Sequence, residues 1–400
     1  AEKSALFEPT VPAEHMRYGF VMERIFALAD DPKAEWHWHV TDNDGSHTAD
    51  YCAAEAFRYA TTKDQQARNN AREALQALLR LVRLPEKPGF VARSAFRKDD
   101  TKVAAVAGEW HESSDGQWLW KGDTSSDEVD GHMFAYSLYY DLVADEEDKR
   151  AIAAAVSDLV GGIVDNGYLL LDLDGKHTRW GVWSPELLWS DHWAPQRKLN
   201  SLEMLSYLRI ALHMTGDRRF EEAHRELVEM HKYAETVRTS QLATEPQSFS
   251  KFDDLLTFHV LYPILKYETD PALRTIYLEA LDRFWQFVRP ERTPLYTAMV
   301  NIFLEKNTDL EVLHEALAGY RLDRAQRALV NAVRQDLEWR EVDGVRMLTK
   351  VLPSVERAHY QWHRNPYLSE RPQMPNRFAY PTSFLLVYWM ARYHGLLVAT

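Results

Sequence analysis

The 400-residue chain has a single cysteine, no surplus of positive charge and no apolar run as long as the roughly 18 residues that cross a bilayer. Each shortage excludes something. Forty-seven Lys and Arg stand against 60 Asp and Glu, a net charge of −13 spread along the chain, which argues against nucleic acid or an anionic membrane as the main partner. One cysteine cannot form an internal disulfide. Cys52 lies in the helical-looking run Ala49 to Tyr59, where it reads as a small buried hydrophobe. Walker A loops, dinucleotide-binding glycine patterns and Gly-x-Ser-x-Gly elbows are missing. Trp36-His37-Trp38-His39 sets two histidines at a strand-like spacing without further Cys, His or acid nearby, so neither a metal nor a cofactor is expected.

A chain without disulfides suits either the cytosol or a periplasm. The start Ala1-Glu2-Lys3-Ser4-Ala5 resembles the residues after a trimmed signal peptide, so the expectation is a periplasmic or secreted protein, with the cytoplasm left open. A monomer or small homo-oligomer is expected. What the chain does have is an ordinary globular balance, 46% hydrophobic and 27% charged, and many aromatics: 13 Trp, 19 Tyr and 16 Phe.

A repeat organises the sequence. Four segments share one grammar: an apolar helix, a short polar turn, then an amphipathic helix. They run from His47 to Tyr59 and Gln65 to Val82, from Ser126 to Val143 and on to Val164, from Asn200 to Met214 and Arg218 to Val237, and from Ser250 to Tyr267 and on to Val288. The first helix of each pair is apolar or small on nearly every side, as in Ala53-Ala54-Glu55-Ala56-Phe57, and should be buried all round. The second carries one stripe, such as Ala67, Ala71, Leu75, Leu78 and Leu79. Pro294 to Leu304 with Leu310 to Tyr320 forms a weaker fifth pair. A sixth requires Thr382 to Leu397 to pack beside a helix over Ala13 to Ala29. Six hairpins of this kind describe an all-α protein, a single (α/α)6 toroid over residues 1–400. Short β-hairpins are expected around Asp174-Gly175 and Asp343-Gly344.

The hairpin grammar resembles the six-hairpin glycosidase-like proteins, a group with inverting glycoside hydrolases and unsaturated-uronyl hydrolases. The resemblance implies an oligosaccharide or polysaccharide bound at the mouth of the ring. Inner helices that all run the same way bring their starts together there, where Asp44, Asp127, Asn200 and Asp254 coincide to within about one turn. Acids and Asn before a helix are also its usual caps, and Ser125-Ser126-Asp127-Glu128 reads as a capping box. The group Asp123, Asp127, Glu128, Asp130 and His132 exceeds what capping needs.

Glycoside hydrolysis takes one carboxylic acid to protonate the leaving oxygen and a second carboxylate to activate water. Asp127 is the expected general acid, because Glu128 and Asp130 crowd it; Asp44 is the expected base, with Asp254 the substitute for either. His47, His132 and His259 recur near the same level, where Glu203 and Asp253 also stand. Trp118 and Trp120 precede the second inner helix, and Trp180, Trp183, Trp189 and His192 the third, so these indoles are expected to form a sugar platform. Three alternatives stay open. A polysaccharide lyase would use Tyr136, His132, His259, Asn200 and Arg197; a terpene cyclase would use Phe252-Asp253-Asp254, though the third acid of its motif is missing; a toroid could bind sugar without cleaving it.

Overall fold

The computed structural model describes residues 1–28, 31, 33–238, 247, 250–322, 325–326, 334–357, 362, 364–368 and 374–398. Fourteen α-helices lie among them: α1 (Glu2–Phe7), α2 (Asp44–Thr62), α3 (Gln65–Arg83), α4 (Ser126–Leu142), α5 (Glu146–Asp165), α6 (Pro185–Leu188), α7 (Arg197–Thr215), α8 (Arg218–Glu229), α9 (Tyr233–Val237), α10 (Lys251–Tyr267), α11 (Pro271–Val288), α12 (Pro294–Phe303), α13 (Leu310–Ala318) and α14 (Thr382–Tyr393). The small β-sheets lie in the connections.

The turn between the helices of each of the first four pairs ends in an aspartate, and that aspartate caps the second helix. Asp64 accepts from the backbone N–H of Gln66 at 2.9 Å, Asp145 from Asp148 at 3.0 Å, Asp217 from Arg219 at 3.0 Å and Asp270 from Ala272 at 2.7 Å. Two of the first helices end on a left-handed residue, Lys63 or Gly216, which turns the chain back. The first helices are buried continuously, α2 from Asp44 to Phe57 and α4 from Ser126 to Tyr139. The second helices bury a stripe, as α3 does with Ala67, Ala71, Leu75 and Leu78.

Helix contacts run α14 to α2, α2 to α4, α4 to α7 and α10, α7 to α10, α10 to α12, and α12 back to α14. One hydrophobic core extends from Phe7 to Ala391, with a small second cluster around Val342, Met347 and Tyr367. The N-terminal segment departs from expectation. Among the described residues of 13–29, only those up to His15, the end of the π-turn Val11–His15, are helical; Tyr18 and Gly19 both take positive φ and turn Met16–Arg17 back onto Phe20–Val21, and the strand Glu23–Phe26 follows. This strand pairs antiparallel with Trp36–Val40 and with Met374–Phe378, in a five-stranded sheet whose one parallel pair joins Trp36–Val40 to Val103–Ala105. Pro12 and the turn at Tyr18-Gly19 interrupt any helix over these residues. The element that contacts α14 from the N-terminal end is the short α1. Both expected hairpins are present, Leu169–Leu171 with His177–Val182 and Trp339–Val342 with Val345–Leu348. In the second, Asp343 and Gly344 take the two positive φ angles of a tight hairpin turn.

Close approach at the start of α2 depends on Gly45. A Cβ there would meet Glu128 Oε2 at 2.1 Å, Leu81 Cδ1 at 2.9 Å and the Arg93 carbonyl oxygen at 3.1 Å. Alanine gains about 1 kcal/mol of helix propensity over glycine. Overpacking costs more, so Gly45→Ala is expected to lower stability by about 1–3 kcal/mol in urea melts, with the m-value unchanged.

Candidate functional site

The starts of α2, α4, α7 and α10 line one cleft of about 410 Å3. Asp42 and Asn43 come from the approach to α2, Ser125, Ser126 and Asp127 from α4, and Gln196, Leu199 and Asn200 from α7. Ser250, Phe252, Asp253 and Leu256 come from α10, Arg93 from the loop after α3, and Trp180 from the strand His177–Val182. The floor is mixed: apolar Leu199, Phe252 and Leu256 beside neutral hydrogen-bonding groups and two carboxyls on facing helices.

Arg93 organises the charge. Its guanidinium donates to the carbonyl oxygens of Asp42 at 2.8 Å and Asp123 at 2.6 Å and to Asn43 Oδ1 at 3.1 Å, and lies 3.6 Å from Asp127 Oδ2. Burial works against its charge, but the carboxylates around it, Asp127 first, outweigh burial and hold its pKa above the usual value. Asp127 Oδ1 is enclosed and has no hydrogen-bond partner among the described residues. On the opposite helix, Asp253 lies above the ordinary carboxyl range because it is buried, although hydrogen bonds from Ser250 and Gln196 partly oppose the shift.

Other acids expected at this mouth point elsewhere. Asp44 is inside the first turn of α2, 1% exposed, and does not line the cleft. Its Oδ1 accepts from the Thr41 N–H at 3.1 Å and the Thr41 hydroxyl at 2.6 Å; burial, opposed by these bonds, pushes it well above the ordinary range. Asp44 therefore cannot face Asp127 across a ligand in the cleft. Asp254 is turned away toward Lys251 at 3.2 Å, which also holds Glu291 at 2.5 Å. Burial and Glu291 raise its pKa well above the usual value. Glu128 is fully buried against Gly45, pushed up by burial and by Asp127. Asp130 and Glu203 are buried and do not line the cleft; Tyr207 donates to Asp130 and Trp183 to Glu203, and burial raises both carboxyls. Asn200 does line the cleft, and its Nδ2 donates to the Val182 carbonyl at 2.8 Å.

The histidines are interior groups. His132 ties α4 to α3, with its ring nitrogens 2.7 Å from the Glu128 carbonyl and 3.2 Å from the Leu78 carbonyl; burial pushes it down to about 4. His259 meets Asp50 at 3.0 Å and stacks on Phe134 with ring centroids 4.8 Å apart. His47 packs against Tyr380 at 5.1 Å, and burial pushes it down to about 4.

Of the tryptophans, Trp180 alone lines the cleft. Trp118 sits under the Arg80 guanidinium, 4.5 Å away, and edge-on to Tyr18. Trp120 is buried against His111, with centroids 4.5 Å apart. Their strand, Trp118–Lys121, is the central one of its sheet; Trp120 is buried there, and Trp118 is half-buried and faces a different cavity, with Arg80 and Ser113. Trp183 is buried, Trp189 is exposed beneath Arg197 at 4.8 Å, and His192 is edge-on to Trp193. Of the five indoles expected to form a platform, Trp180 is on the cleft and Trp189 is exposed outside it.

Arg93 and Gln196 were not anticipated. Arg93 carries a signal nonetheless: it is a lone charge in the apolar run Phe90-Val91-Ala92-Arg93-Ser94-Ala95-Phe96, and a buried charge needs a partner. Among the described residues, no three His, Cys, Asp or Glu side chains converge to hold a metal ion, and no helix is long and apolar enough to cross a membrane. No protein-family model matches the chain, and no curated protein is similar to it in sequence.

Removing the Arg93 guanidinium leaves Asp127 and Glu128 without their nearest cation. Breaking a largely buried pair from one side costs about 3–5 kcal/mol, so Arg93→Met is expected to show a loss of this size in denaturant melts at neutral pH. The deficit should shrink toward acid pH, where protonation removes the uncompensated charge.

Proposed function

We propose that the chain is a carbohydrate-active enzyme on an (α/α)6 toroid, a glycoside hydrolase that cleaves an oligo- or polysaccharide by a two-carboxylate, inverting-type mechanism. The observation that carries this reading is the convergence of Asp127, Asp253 and Trp180 on one cleft. The circuit of contacts from α14 through α2, α4, α7, α10 and α12 back to α14 supports the toroid. Such a substrate goes with a periplasmic or secreted location.

The two carboxyls have different environments, and that difference assigns their roles. Asp253, whose pKa burial raises, is the carboxyl assigned to protonate the leaving glycosidic oxygen. Asp127, paired with Arg93, is the carboxylate that takes a proton from water as the water oxygen attacks the anomeric carbon. This reverses the assignment expected from charge crowding, and it replaces Asp44, which is sealed off behind Thr41. Trp180 offers an indole face to the C–H side of a pyranose, and Asn43, Ser126 and Gln196 offer neutral groups for its hydroxyls.

Hydrolysis is favoured over elimination because His132, His259 and Tyr136, the bases a lyase would need, are buried away from the cleft. A cyclase reading loses Asp254 to Lys251.

Neutral and acidic oligosaccharides, incubated with the protein and analysed by mass, test the proposal. Gain of one water is expected. An unsaturated product would make the protein a lyase, and stable binding without cleavage would make it a sugar-binding protein. Once a substrate is found, Asp127→Asn and Asp253→Asn should each lower kcat by about 10²–10⁴-fold with binding retained. Trp180→Ala should weaken binding by about 1–3 kcal/mol, read by calorimetry.

A further inference from the structure

One helical turn below Asp127 and Asn200, the carboxyls of Asp130 on α4 and Glu203 on α7 are brought together in the interior, each shifting the ionisation of the other. Asp130 Oδ2 and Glu203 Oε1 are buried without a hydrogen-bond partner among the described residues. Two neighbouring buried carboxyls avoid mutual repulsion only when one of them keeps a proton. Each also has an outside partner: the Tyr207 hydroxyl donates to Asp130 Oδ1, and Trp183 Nε1 donates to Glu203 Oε2 at 2.6 Å. The Trp183 ring meets Tyr207 edge-on, with centroids 5.6 Å apart at 81°. All four side chains are buried, and none lines the cleft.

Trp183 follows the strand that carries Trp180. Asn200 Nδ2 donates to the carbonyls of Val182 at 2.8 Å and Trp180 at 3.4 Å, and the Tyr233 hydroxyl donates to the Trp183 carbonyl at 2.5 Å. Residues 180–183 are thus tied to α7 and α9, and of these ties only the one to Glu203 involves a group that ionises as a carboxyl. Trp180 is 40% exposed, with the Arg179 guanidinium of its own strand 4.7 Å from the indole centroid, so the strand carries both the ring and this contact.

We propose that Asp130 and Glu203 are positioning residues that share one proton, and that this proton, acting through Trp183, keeps Trp180 at its place on the cleft wall. The inference rests on the proposed use of Trp180 as a ligand platform, but it stands or falls by a measurement that contains no sugar.

Burial raises both groups, Glu203 to about 8 and Asp130 well above its ordinary value, with the charge of Glu203 adding to the shift of Asp130. The ionisable groups facing the pair are Asp127 on α4, Tyr207 on α7 and Asp253 on α10. The charges of Asp127 and Asp253 favour retention of the proton, while the bonds from Tyr207 to Asp130 and from Trp183 to Glu203 oppose it. A raised carboxyl pKa favours the folded state on the acid side, and that contribution is lost as the pH rises through about 8. Above this, two buried anions repel across a low-dielectric gap, and the strand that leans on Glu203 is released.

The test is an NMR titration of isotope-labelled indole N–H groups from about pH 6 to about pH 10. Trp180→Phe and Trp183→Phe identify the two resonances. In the unmodified protein both are expected to shift with a common midpoint within about one unit of pH 8. Glu203→Gln keeps an oxygen for Trp183 but removes the ionisation, so both resonances should stop titrating. Asp130→Asn should do the same, and it serves if the first variant does not fold. A Trp183 resonance that does not titrate, a Trp180 resonance that stays fixed while Trp183 moves, or an undiminished titration in both variants would overturn the proposal. Failure of the hydrolase reading would leave these resonances as they are.

Discussion

Burial of the inner helices on every side is the constraint on which the site depends. A helix with neighbours all round satisfies its own backbone, yet it has no wet face on which to display polar side chains, so these gather at its ends. Each of α2, α4, α7 and α10 is followed by a helix that carries the chain back, and the four therefore start on the same side. The result is one cleft lined by four helix amino ends. That end of a helix favours a negative charge by roughly 0.3–1 kcal/mol, whereas burying a carboxylate costs several. The larger effect decides the outcome: Asp44, Glu128, Asp253 and Asp254 all have raised pKa values, with burial as the leading cause in each.

So many acids in so small a volume need compensation. Cations answer some: Arg93 sits against Asp127, and Lys251 between Asp254 and Glu291. Among the described residues, Asp130 and Glu203 have no cation beside them, and burial raises both. A cation does not always offset burial: Asp254 stays well above the ordinary carboxyl range although Lys251 lies 3.2 Å away.

The hairpin grammar was legible because it is written in periodicity and turn chemistry. Asp64, Asp145, Asp217 and Asp270 could be read as turn residues and prove to be caps. The convergence of helix starts was legible too, since it follows from chain direction alone. Which acid faces the cleft was not, because successive residues on a helix point about 100° apart. Asp253 and Asp254 are adjacent in sequence, yet one lines the cleft and the other meets Lys251. The start of α2 shows the same sensitivity. It begins at Asp44 rather than His47, which carries Asp44 into the first turn and leaves Asp42 and Asn43 on the wall. Tryptophans in insertions were less legible still. Trp118 and Trp120 share one strand face, and only tertiary packing covers them with Arg80 and His111.

The N-terminal segment failed for a related reason. Its apolar residues Phe20, Val21, Met22 and Phe26 suit either a helix stripe or buried strands, and strand partners decide between them. Phe20–Val21 folds on Met16–Arg17, and Glu23–Phe26 pairs with Trp36–Val40 on one side and on the other with Met374–Phe378, more than three hundred residues away, where Arg377 pairs with Ile25 and its guanidinium reaches Glu23 at 2.9 Å. Residues from both ends of the chain therefore meet beside α2 and α14, the two helices whose contact closes the circuit. The ring reading asked for a sixth helical hairpin to make that closure. No helix over 13–29 is needed for that contact: α14 packs directly on α2, with the short α1 against α14 and the strand Phe20–Val21 against α2, so the apolar surface that the expected helix would have supplied comes from shorter elements.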